Sequence, residues 1–372
     1  MIRVAVVGGG LAGLSAAWRL AEGGASVLLL EGSGSMGGQV RTLRERQCVI
    51  ELGAEGFPAA RGAVPALAAA FGLAEEIVPQ RELPTLLLRG GRMAPLAPGE
   101  GARRLGMQVD EADLGRGLRT FRGGMGSLVG ALESWVRQTA EVRLGWEVQR
   151  VSPESGRLTV AGAGACQVDA AVIATAPDTA ARLFGIRPPA GLALADCVTV
   201  TLCYDRGLVR AALEATGFIL DRTAGDGFRA CTFVTAKFPR HVPPHLSLFR
   251  VFFRPRHAWR SEQDGAWVDR AHARIGPLLG IGGPPAEGWV ARWPRAMPEP
   301  GPGYAEEVRD LRRTLRARGS IELAGAALDG AGVDGAVRSG LAAADRLLHR
   351  LRPGEGPARS VARATGNARE GR

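Results

Sequence analysis

The feature that most constrains this 372-residue chain is a glycine-rich turn placed directly after its first strand. Met1–Val7 is apolar and predicts a β-strand, and the run from Gly8 to Gly13 (GGGLAG) follows it. Leu11–Glu22 has the periodicity of an amphipathic helix, and Ala25–Leu30 predicts a second strand. The order strand, glycine turn, helix and strand predicts a dinucleotide-binding βαβ unit of the Rossmann type.

Each glycine of this turn has a physical role in holding a pyrophosphate. Gly8 permits the tight turn, Gly10 allows the ligand to approach the backbone, and Gly13 allows close helix–strand packing. The N-terminus of the helix, with Leu11 and Ala12, offers unpaired N–H groups and the positive end of a dipole. Glu31 ends the second strand, where its carboxylate is expected to accept hydrogen bonds from ribose hydroxyls.

A second glycine-rich segment distinguishes between nicotinamide and flavin cofactors. The sequence after Leu30, EGSGSMGGQVRT, resembles the extended dinucleotide motif of the flavin amine-oxidase and protoporphyrinogen-oxidase superfamily. In that family a GG-[RK]-x-x-[ST] element forms a second anchor for FAD, and position 39 of this chain has glutamine in place of the basic residue. The resemblance implies FAD contacts from Gly37, Gly38, Gln39, Arg41 and Thr42, with Arg41 supplying the missing charge.

The resemblance continues in two later parts of the chain. Val148, in a strand expected over Trp146–Val151, matches the position whose backbone holds the adenine. The segment ATAP, which begins at Ala174 and ends at Pro177, resembles a strand end next to that site, and Leu323–Val333 resembles the returning flavin-binding segment. The resemblance therefore adds to the FAD site Val148, Ala174, Pro177, Trp293, Gly325, Gly332 and Val333.

Within the superfamily, four stretches most resemble protoporphyrinogen or coproporphyrinogen oxidase: Arg122–Leu128, Lys237–Arg240, Arg292–Pro298 and Asp329–Gly340. The resemblance implies oxidation of a porphyrinogen by FAD and oxygen in heme (tetrapyrrole) biosynthesis. In such chemistry the flavin carries the difficult step, so no catalytic side chain is assigned.

The expected fold class is α/β, with a Rossmann-type FAD-binding domain interleaved with a mixed β-sheet substrate domain. The FAD domain is assigned to residues 1–75, 120–187 and 293–351, the substrate domain to residues 76–119 and 188–292, and a disordered tail to residues 352–372. The periodicity also predicts a hairpin at Gly90-Gly91, helices over Val64–Phe71, Gly126–Val136, Ala266–Leu279 and Asp334–Leu351, and strands over Cys48–Leu52, Ala170–Thr175, Asp196–Tyr204, Gly217–Leu220, Ala230–Thr235, Leu246–Phe253 and Ile321–Ala324.

The formal charge of +10 comes from arginine, because Lys237 is the single lysine. A coding bias towards arginine explains this charge, and an attraction to anionic partners is the functional alternative. No nucleic-acid motif is present, so nucleic acid is not an expected partner. The five scattered cysteines predict buried free thiols, and the two prolines between His241 and His245 argue against a metal site.

The chain contains no apolar run long enough to span a membrane, and its start does not resemble a signal peptide. The sequence therefore predicts a cytoplasmic protein. A peripheral membrane contact or a protein partner is left open, because the basic surface could attract acidic lipid headgroups.

Other flavoenzyme functions fit the sequence less well. The lysine that amine oxidases place near the flavin is missing from Cys197–Tyr204, and Leu328 occupies a position that is often aromatic. Lys237 is interpreted as a surface or structural residue.

The chain also departs from the porphyrinogen oxidases in two places. Only Ala97–Phe121 spans a region where the family has a long helical insert, and Thr85 occupies the position of an arginine that meets a propionate in some members. A desaturase or oxidase for another apolar substrate, and a flavin-binding subunit with little activity, therefore remain alternatives.

Overall fold

A five-stranded parallel sheet forms the centre of the first half of the fold. The computed structural model describes residues 1–59, 62–104, 117–255 and 261–351. The spatial order of the central sheet is β10-β2-β1-β14-β20, and every neighbouring pair is parallel. Its strands are β1 Arg3–Val7, β2 Ser26–Leu30, β10 Glu141–Arg143, β14 Ala170–Ile173 and β20 Ile321–Leu323.

Helices cover both faces of this sheet, because alternate strand residues point to opposite sides. Val4 and Val6 belong to one core, whereas Ala5 and Val7 belong to the other. The first core is packed by α1 Leu11–Glu22, α2 Ala63–Ala70, α4 Gly126–Thr139 and α10 Gly332–Leu351. The second core is packed by β11 Arg150–Glu154, β12 Arg157–Ala161, β13 Ala165–Val168, α5 Pro177–Leu183 and α8 Tyr304–Ala317.

A seven-stranded mixed sheet forms the other half, in the order β19-β15-β18-β17-β16-β7-β8. Its strands are β7 Thr85–Arg89, β8 Arg92–Pro95, β15 Leu192–Asp205, β16 Gly217–Leu220, β17 Phe228–Phe233, β18 Leu246–Phe253 and β19 Glu287–Pro300. One face of this sheet packs on α7 Asp264–Leu279, whose Trp267 is fully buried against Phe253. Only the β16–β7 pair is parallel, which makes the sheet mixed.

Shorter elements connect the two sheets. They are β3 Thr42–Glu45, β4 Cys48–Glu51, β5 Phe57–Pro58, β6 Ile77–Pro79, α3 Glu100–Arg104, β9 Leu118–Phe121, α6 Val234–Lys237 and α9 Ala326–Asp329. The β3–β4 hairpin packs on the mixed sheet through an apolar cluster that contains Ile50, Leu52 and Leu248. The hairpin therefore places the residues that follow β4 between the two sheets.

The mixed α/β architecture expected from the sequence is confirmed. The helix over Leu11–Glu22 and the strand over Leu246–Phe253 have the expected bounds, and Gly90 and Gly91 both have positive φ in the hairpin turn. The strand expected over Trp146–Val151 begins only at Arg150, so the expectation for its first residues was wrong.

Other expected elements differ more. The strand expected over Ala230–Thr235 ends at Phe233, since Val234 begins a short helix. The long strand β19 and the helix α8 were not expected from the sequence. The proposed boundary between residues 292 and 293 lies within β19, and the tail 352–372 lies outside the described residues. Within the described ranges, no helix is long and apolar enough to cross a membrane.

Candidate functional site

The turn after β1 is built so that side chains are excluded from it. Gly8 has φ +108°, and its N–H donates to the Leu30 carbonyl at 2.8 Å. A Cβ on Gly8 would lie 2.8 Å from the Ala174 oxygen, and a Cβ on Gly13 would lie 1.8 Å from the Gly8 oxygen. These two glycines therefore allow β1, β14 and α1 to pack closely.

Gly10 differs, because it faces space that the polypeptide does not fill. It is extended (φ −71°, ψ 178°) at the start of α1, and the nearest atom to an added Cβ is the Gly38 Cα at 3.9 Å. The second loop reaches this point through Gly37, whose N–H donates to the Gly9 carbonyl at 2.9 Å. Two glycine-rich loops thus meet in front of the helix.

The start of α1 offers donors that suit an anion. No side chain caps its first turn, and this turn contains no acidic residue. The amide groups around Leu11 and Ala12 therefore remain available, and the helix dipole favours negative charge there. An open glycine, uncapped amides and a second glycine loop fit the pyrophosphate of FAD.

Glu31 stabilises the same turn from the end of β2. Its carboxylate accepts a hydrogen bond from the Gly9 N–H at 2.6 Å and from the Ser33 N–H at 2.7 Å. An ionised carboxylate has about four acceptor positions, so these two bonds leave capacity for ribose hydroxyls. In the structure Glu31 therefore holds the loop in place, in addition to the contact with ribose hydroxyls that the sequence predicts.

The residues of the second anchor have separate surroundings. The Gln39 amide donates to the Ala296 carbonyl at 3.1 Å, and the Arg41 side chain is exposed. The Thr42 hydroxyl donates to the Glu51 carboxylate at 2.7 Å and accepts from the Gly126 N–H at 2.7 Å. Thr42 therefore attaches the loop to the start of α4.

The two later segments reach the same sheet. The Ala174 N–H donates to the Val7 carbonyl at 2.7 Å, and Pro177 is buried in the first turn of α5. Val148 is half-buried against the core on that side of the sheet, in irregular chain before β11. The assignment of these residues to the adenine end of the cofactor rests on the resemblance and stays a prediction.

The C-terminal segment is held by its own hydrogen bonds. Gly325 has φ +153°, and its N–H donates to the Ser339 hydroxyl at 2.9 Å. Gly332 (φ +83°) begins α10, and Val333 next to it is buried. These conformations require glycine at positions 325 and 332.

The segment after β4 was not identified from the sequence, although it connects both sheets. The Leu52 carbonyl accepts from the Trp293 indole at 2.9 Å, the Thr199 hydroxyl at 2.9 Å and the Arg250 guanidinium at 3.2 Å. Gly53 packs so closely against the second loop that an added Cβ would lie 1.9 Å from the backbone carbonyl oxygen of Gln39. A charge within the apolar run Leu246–Phe253 was the signal that could have identified Arg250.

Buried charges surround this segment. Glu55 pairs with Lys237 and lies 3.9 Å from Arg250. Burial alone would raise the pKa of Glu55, but Lys237 and Arg250 outweigh burial and hold this pKa below its usual value. Of the two interpretations of Lys237, surface or structural, the structure supports the structural one, because its side chain is 9% exposed and ion-paired.

Glu51 makes no ion pair within the described ranges, although the charge of Arg250 acts on it. Burial raises the pKa of Glu51 to about 7, although its carboxylate accepts hydrogen bonds from Met125 N–H at 2.6 Å and from Thr42. Burial also lowers the pKa of His241, whose Nε2 lies 3.0 Å from the Phe121 carbonyl. The buried groups near this segment therefore differ in their pKa shifts: the pKa is lowered for Glu55 and His241 and raised for Glu51.

All five cysteines are free thiols, and four of them are buried. Throughout the described part of the chain, no group of three or more His, Cys, Asp or Glu side chains is arranged to hold a metal.

Comparisons with known proteins agree with this geometry. A family model for flavin containing amine oxidoreductases matches residues 108–348, and a model for an NAD(P)-binding Rossmann-like domain matches residues 6–71. Coproporphyrinogen III oxidase of Bacillus subtilis (strain 168) is 25% identical over 240 residues, which cover 62% of this chain and 51% of that protein. The match thus spans about half the length of the Bacillus relative.

Two further comparisons extend over most of the chain. Coproporphyrinogen III oxidase of Mycobacterium tuberculosis (strain ATCC 25618 / H37Rv) is 24% identical over 444 aligned positions, covering 89% of this chain and 94% of the relative. A structure from Exiguobacterium sp. 255-15, provisionally assigned as a protoporphyrinogen oxidase, has a TM-score of 0.82 at 20% identity, covering 94% of this chain and 99% of that chain. At that identity the similarity shows the fold.

A protein with this sheet, this glycine turn and these relatives is an FAD-dependent oxidoreductase. Since the family model extends over more than half of the chain, the protein belongs to the flavin containing amine oxidoreductase family.

Proposed function

We propose that the protein oxidises a porphyrinogen, such as coproporphyrinogen or protoporphyrinogen, to the porphyrin with oxygen as the final acceptor. This would place it in heme or tetrapyrrole biosynthesis. The similarity to coproporphyrinogen III oxidases over 89% of the chain supports this substrate class.

The observation that carries the proposal is the charge beside the Leu52–Gly53 segment. Arg250 is buried there and donates to both carbonyls, whereas the single lysine is bound to Glu55. Arg250 and Lys237 share the single carboxylate of Glu55, so that carboxylate offsets only part of their positive charge. The remaining charge would repel an ammonium substrate and attract carboxylate arms, and it would favour an anionic tetrapyrrole over an amine.

FAD would be held by the site residues that the sequence identified. These are Gly8, Gly10, Leu11, Ala12, Gly13, Glu31, Gly37, Gly38, Gln39, Arg41, Thr42, Val148, Ala174, Pro177, Trp293, Gly325, Gly332 and Val333. When bound, FAD supplies the acceptor for the hydride that leaves a carbon bridge of the substrate. The protein would orient the ring and exclude water, and Arg250 would hold the Leu52–Gly53 backbone in place.

The test follows porphyrin fluorescence after coproporphyrinogen III or protoporphyrinogen IX is added to the purified flavoprotein in air. A Gly10→Val variant, expected to fold without flavin, serves as the matched control for autoxidation. We expect fluorescence to grow faster with the wild-type protein than with this control. If fluorescence grows at the same rate with the wild-type protein and with the variant for each of the two substrates, although the wild-type protein contains flavin, the proposal is rejected.

A second candidate, a flavin-binding subunit with little activity alone, is favoured by one feature. The alignment with the Mycobacterium relative extends over 444 positions, more than the 372 residues of this chain, so the relative contains segments that are missing here. Reduction of the bound flavin by porphyrinogen without oxygen separates the two functions. A flavin that stays oxidised under those conditions would favour the subunit.

A further inference from the structure

A groove lined by arginine lies at the outer edge of the parallel sheet. It is formed beside the edge strand β20, where side chains of α8 and α10 converge, and it has a volume of about 490 Å³. The residues that line it are Arg309, Arg312, Arg313, Arg316 and Arg346. Its size falls in the usual range for small-molecule sites.

One buried carboxylate anchors the groove. Glu322 of β20 is 1% exposed and pairs with Arg316 at 2.9 Å, Arg346 at 2.8 Å and Arg350 at 2.8 Å. Three guanidinium groups around a single carboxylate leave an excess of positive charge, and the sheet edge fixes the position of that carboxylate.

The remaining pairs do not remove this excess. Arg312 pairs with Asp329, and Arg313 pairs with Asp310. Five arginines thus share three carboxylates, and the sixth, Arg309, makes no ion pair within the described ranges. The groove therefore carries about three uncompensated charges and attracts anions.

Two of the guanidinium groups also contain buried donors without an acceptor. Arg312 Nε and Arg346 Nη2 are inaccessible and have no hydrogen-bond partner among the described residues. Because these two atoms are shielded, a ligand in the groove would meet other atoms of the two side chains, which are 19% and 34% exposed. Both donors belong to side chains that line the groove.

We propose that this groove binds a polyphosphate chain, either free or at the end of a nucleotide. Guanidinium groups bind phosphate oxygens in pairs, and several such groups from two helices match a ligand with consecutive phosphates. Among the described residues no aromatic side chain lines the groove, so the proposed contacts are to the phosphates rather than to a base. Arg346 follows Gly332 by 14 residues of α10, which is about 20 Å along the helix, so this side of the groove lies away from the C-terminal flavin-binding segment, whereas Arg312 contacts that segment through Asp329.

The test is calorimetric titration of the FAD-loaded protein with tripolyphosphate at constant ionic strength. The double variant R309Q/R313Q alters two exposed side chains of the groove. The control R92Q/R210Q removes the same charge from exposed positions of the mixed-sheet half. We expect saturable binding that weakens about tenfold or more in R309Q/R313Q and is unchanged in the control.

Further titrations distinguish the sources of the phosphate. If ATP binds with the same affinity as tripolyphosphate and AMP does not bind, the phosphate chain alone is recognised. If ATP binds more tightly than tripolyphosphate, the ligand is a nucleotide. Equal weakening in both double variants would show a general charge effect and would overturn the proposal. Release of FAD during the titration, followed by flavin fluorescence, would place the ligand in the FAD site and would overturn it too.

Discussion

At the scale of single residues, the glycines of the first turn separate into two kinds. Gly13 is required by the polypeptide itself, since an added Cβ would lie 1.8 Å from the Gly8 oxygen. Gly10 has no such neighbour, and its backbone angles suit any residue. The sequence shows three similar glycines, whereas the structure shows which one the packing of the polypeptide does not require, and the proposed function assigns that space to FAD.

Substitution tests this difference. We expect Gly10→Val to fold but to lose bound FAD, because its methyl groups would occupy the space in front of α1. Gly13→Ala should fail to fold, because β1 and α1 would be forced apart. The measurement is the ratio of flavin to protein absorbance together with the thermal midpoints of the flavin-free proteins.

A matched control is Gly34→Ala in the second loop, where an added Cβ meets no atom within 4 Å. This variant should keep both the fold and the flavin. A Gly10→Val protein that retains its yellow colour would contradict the assignment of the turn.

Glu51 predicts a dependence of stability on pH. Its pKa is about 7 in the folded protein and 4.5 as the ordinary value. As the pH rises, Glu51 therefore ionises at a lower pH in the unfolded state than in the folded state. The stabilisation that is fully present below pH 4.5 is lost as the pH rises to about 7.

Glu51→Gln removes this titration. Across this range we expect the wild-type free energy of unfolding to fall relative to that of the variant by up to about 3 kcal/mol. Urea unfolding at a series of pH values measures the difference. A constant difference between the two proteins across that range would show that Glu51 ionises normally.

At the scale of elements, the crossing of α1 and α10 depends on a small residue. An added Cβ on Gly340 would lie 2.1 Å from the Ala12 oxygen, so the helices touch through their backbones. This contact holds α10 against the helix that begins at the glycine turn. A helix interior normally disfavours glycine, so its presence here reflects packing.

Gly340→Ala should therefore destabilise the protein despite the higher helix propensity of alanine. Gly130 of α4 is the matched control, because it is exposed and an added Cβ meets no atom within 4 Å. We expect Gly130→Ala to stabilise by up to about 1 kcal/mol and Gly340→Ala to have the opposite sign. Chemical denaturation measures both, and a stabilising Gly340→Ala would show that the helices can separate at no cost.

At the scale of the whole molecule, a buried ion pair joins the two halves of the chain. Glu55 follows the β3–β4 hairpin, and Lys237 ends α6 beside the mixed sheet. The pair lies next to Arg250, which holds the Leu52 and Gly53 carbonyls. The charges therefore fix how the segment after β4 sits on the mixed sheet.

Removing one partner should cost more than removing both. Lys237→Met leaves the buried Glu55 carboxylate with Arg250, 3.9 Å away, as its remaining cation and should destabilise by up to about 3–5 kcal/mol. The double variant Glu55→Gln with Lys237→Met should recover much of that loss. A double-mutant cycle by urea unfolding measures the coupling, and purely additive losses would show that the two groups act independently.

Local sequence determined the elements whose signals lie within a few residues. Strand, glycine turn and helix from Met1 to Glu22 were predicted with the observed helix bounds, because apolar periodicity and glycine conformation are properties of neighbouring residues. Helix α8 was missed although Tyr304, Val308, Leu311 and Leu315 recur at helical spacing and charged residues lie between them, as is typical of an amphipathic helix.

The tertiary structure decided which residues meet. Arg250 and Leu52 are almost 200 positions apart, and their contact exists only because β18 and the β3–β4 hairpin pack together. Long-range pairing leaves no mark on the local pattern, so the sequence left open whether Lys237 is a surface or a structural residue, and only the structure shows it buried against Glu55. Sequence therefore determined the glycine turn and the class of cofactor, whereas only the packing of the two sheets determined the buried charges beside the site.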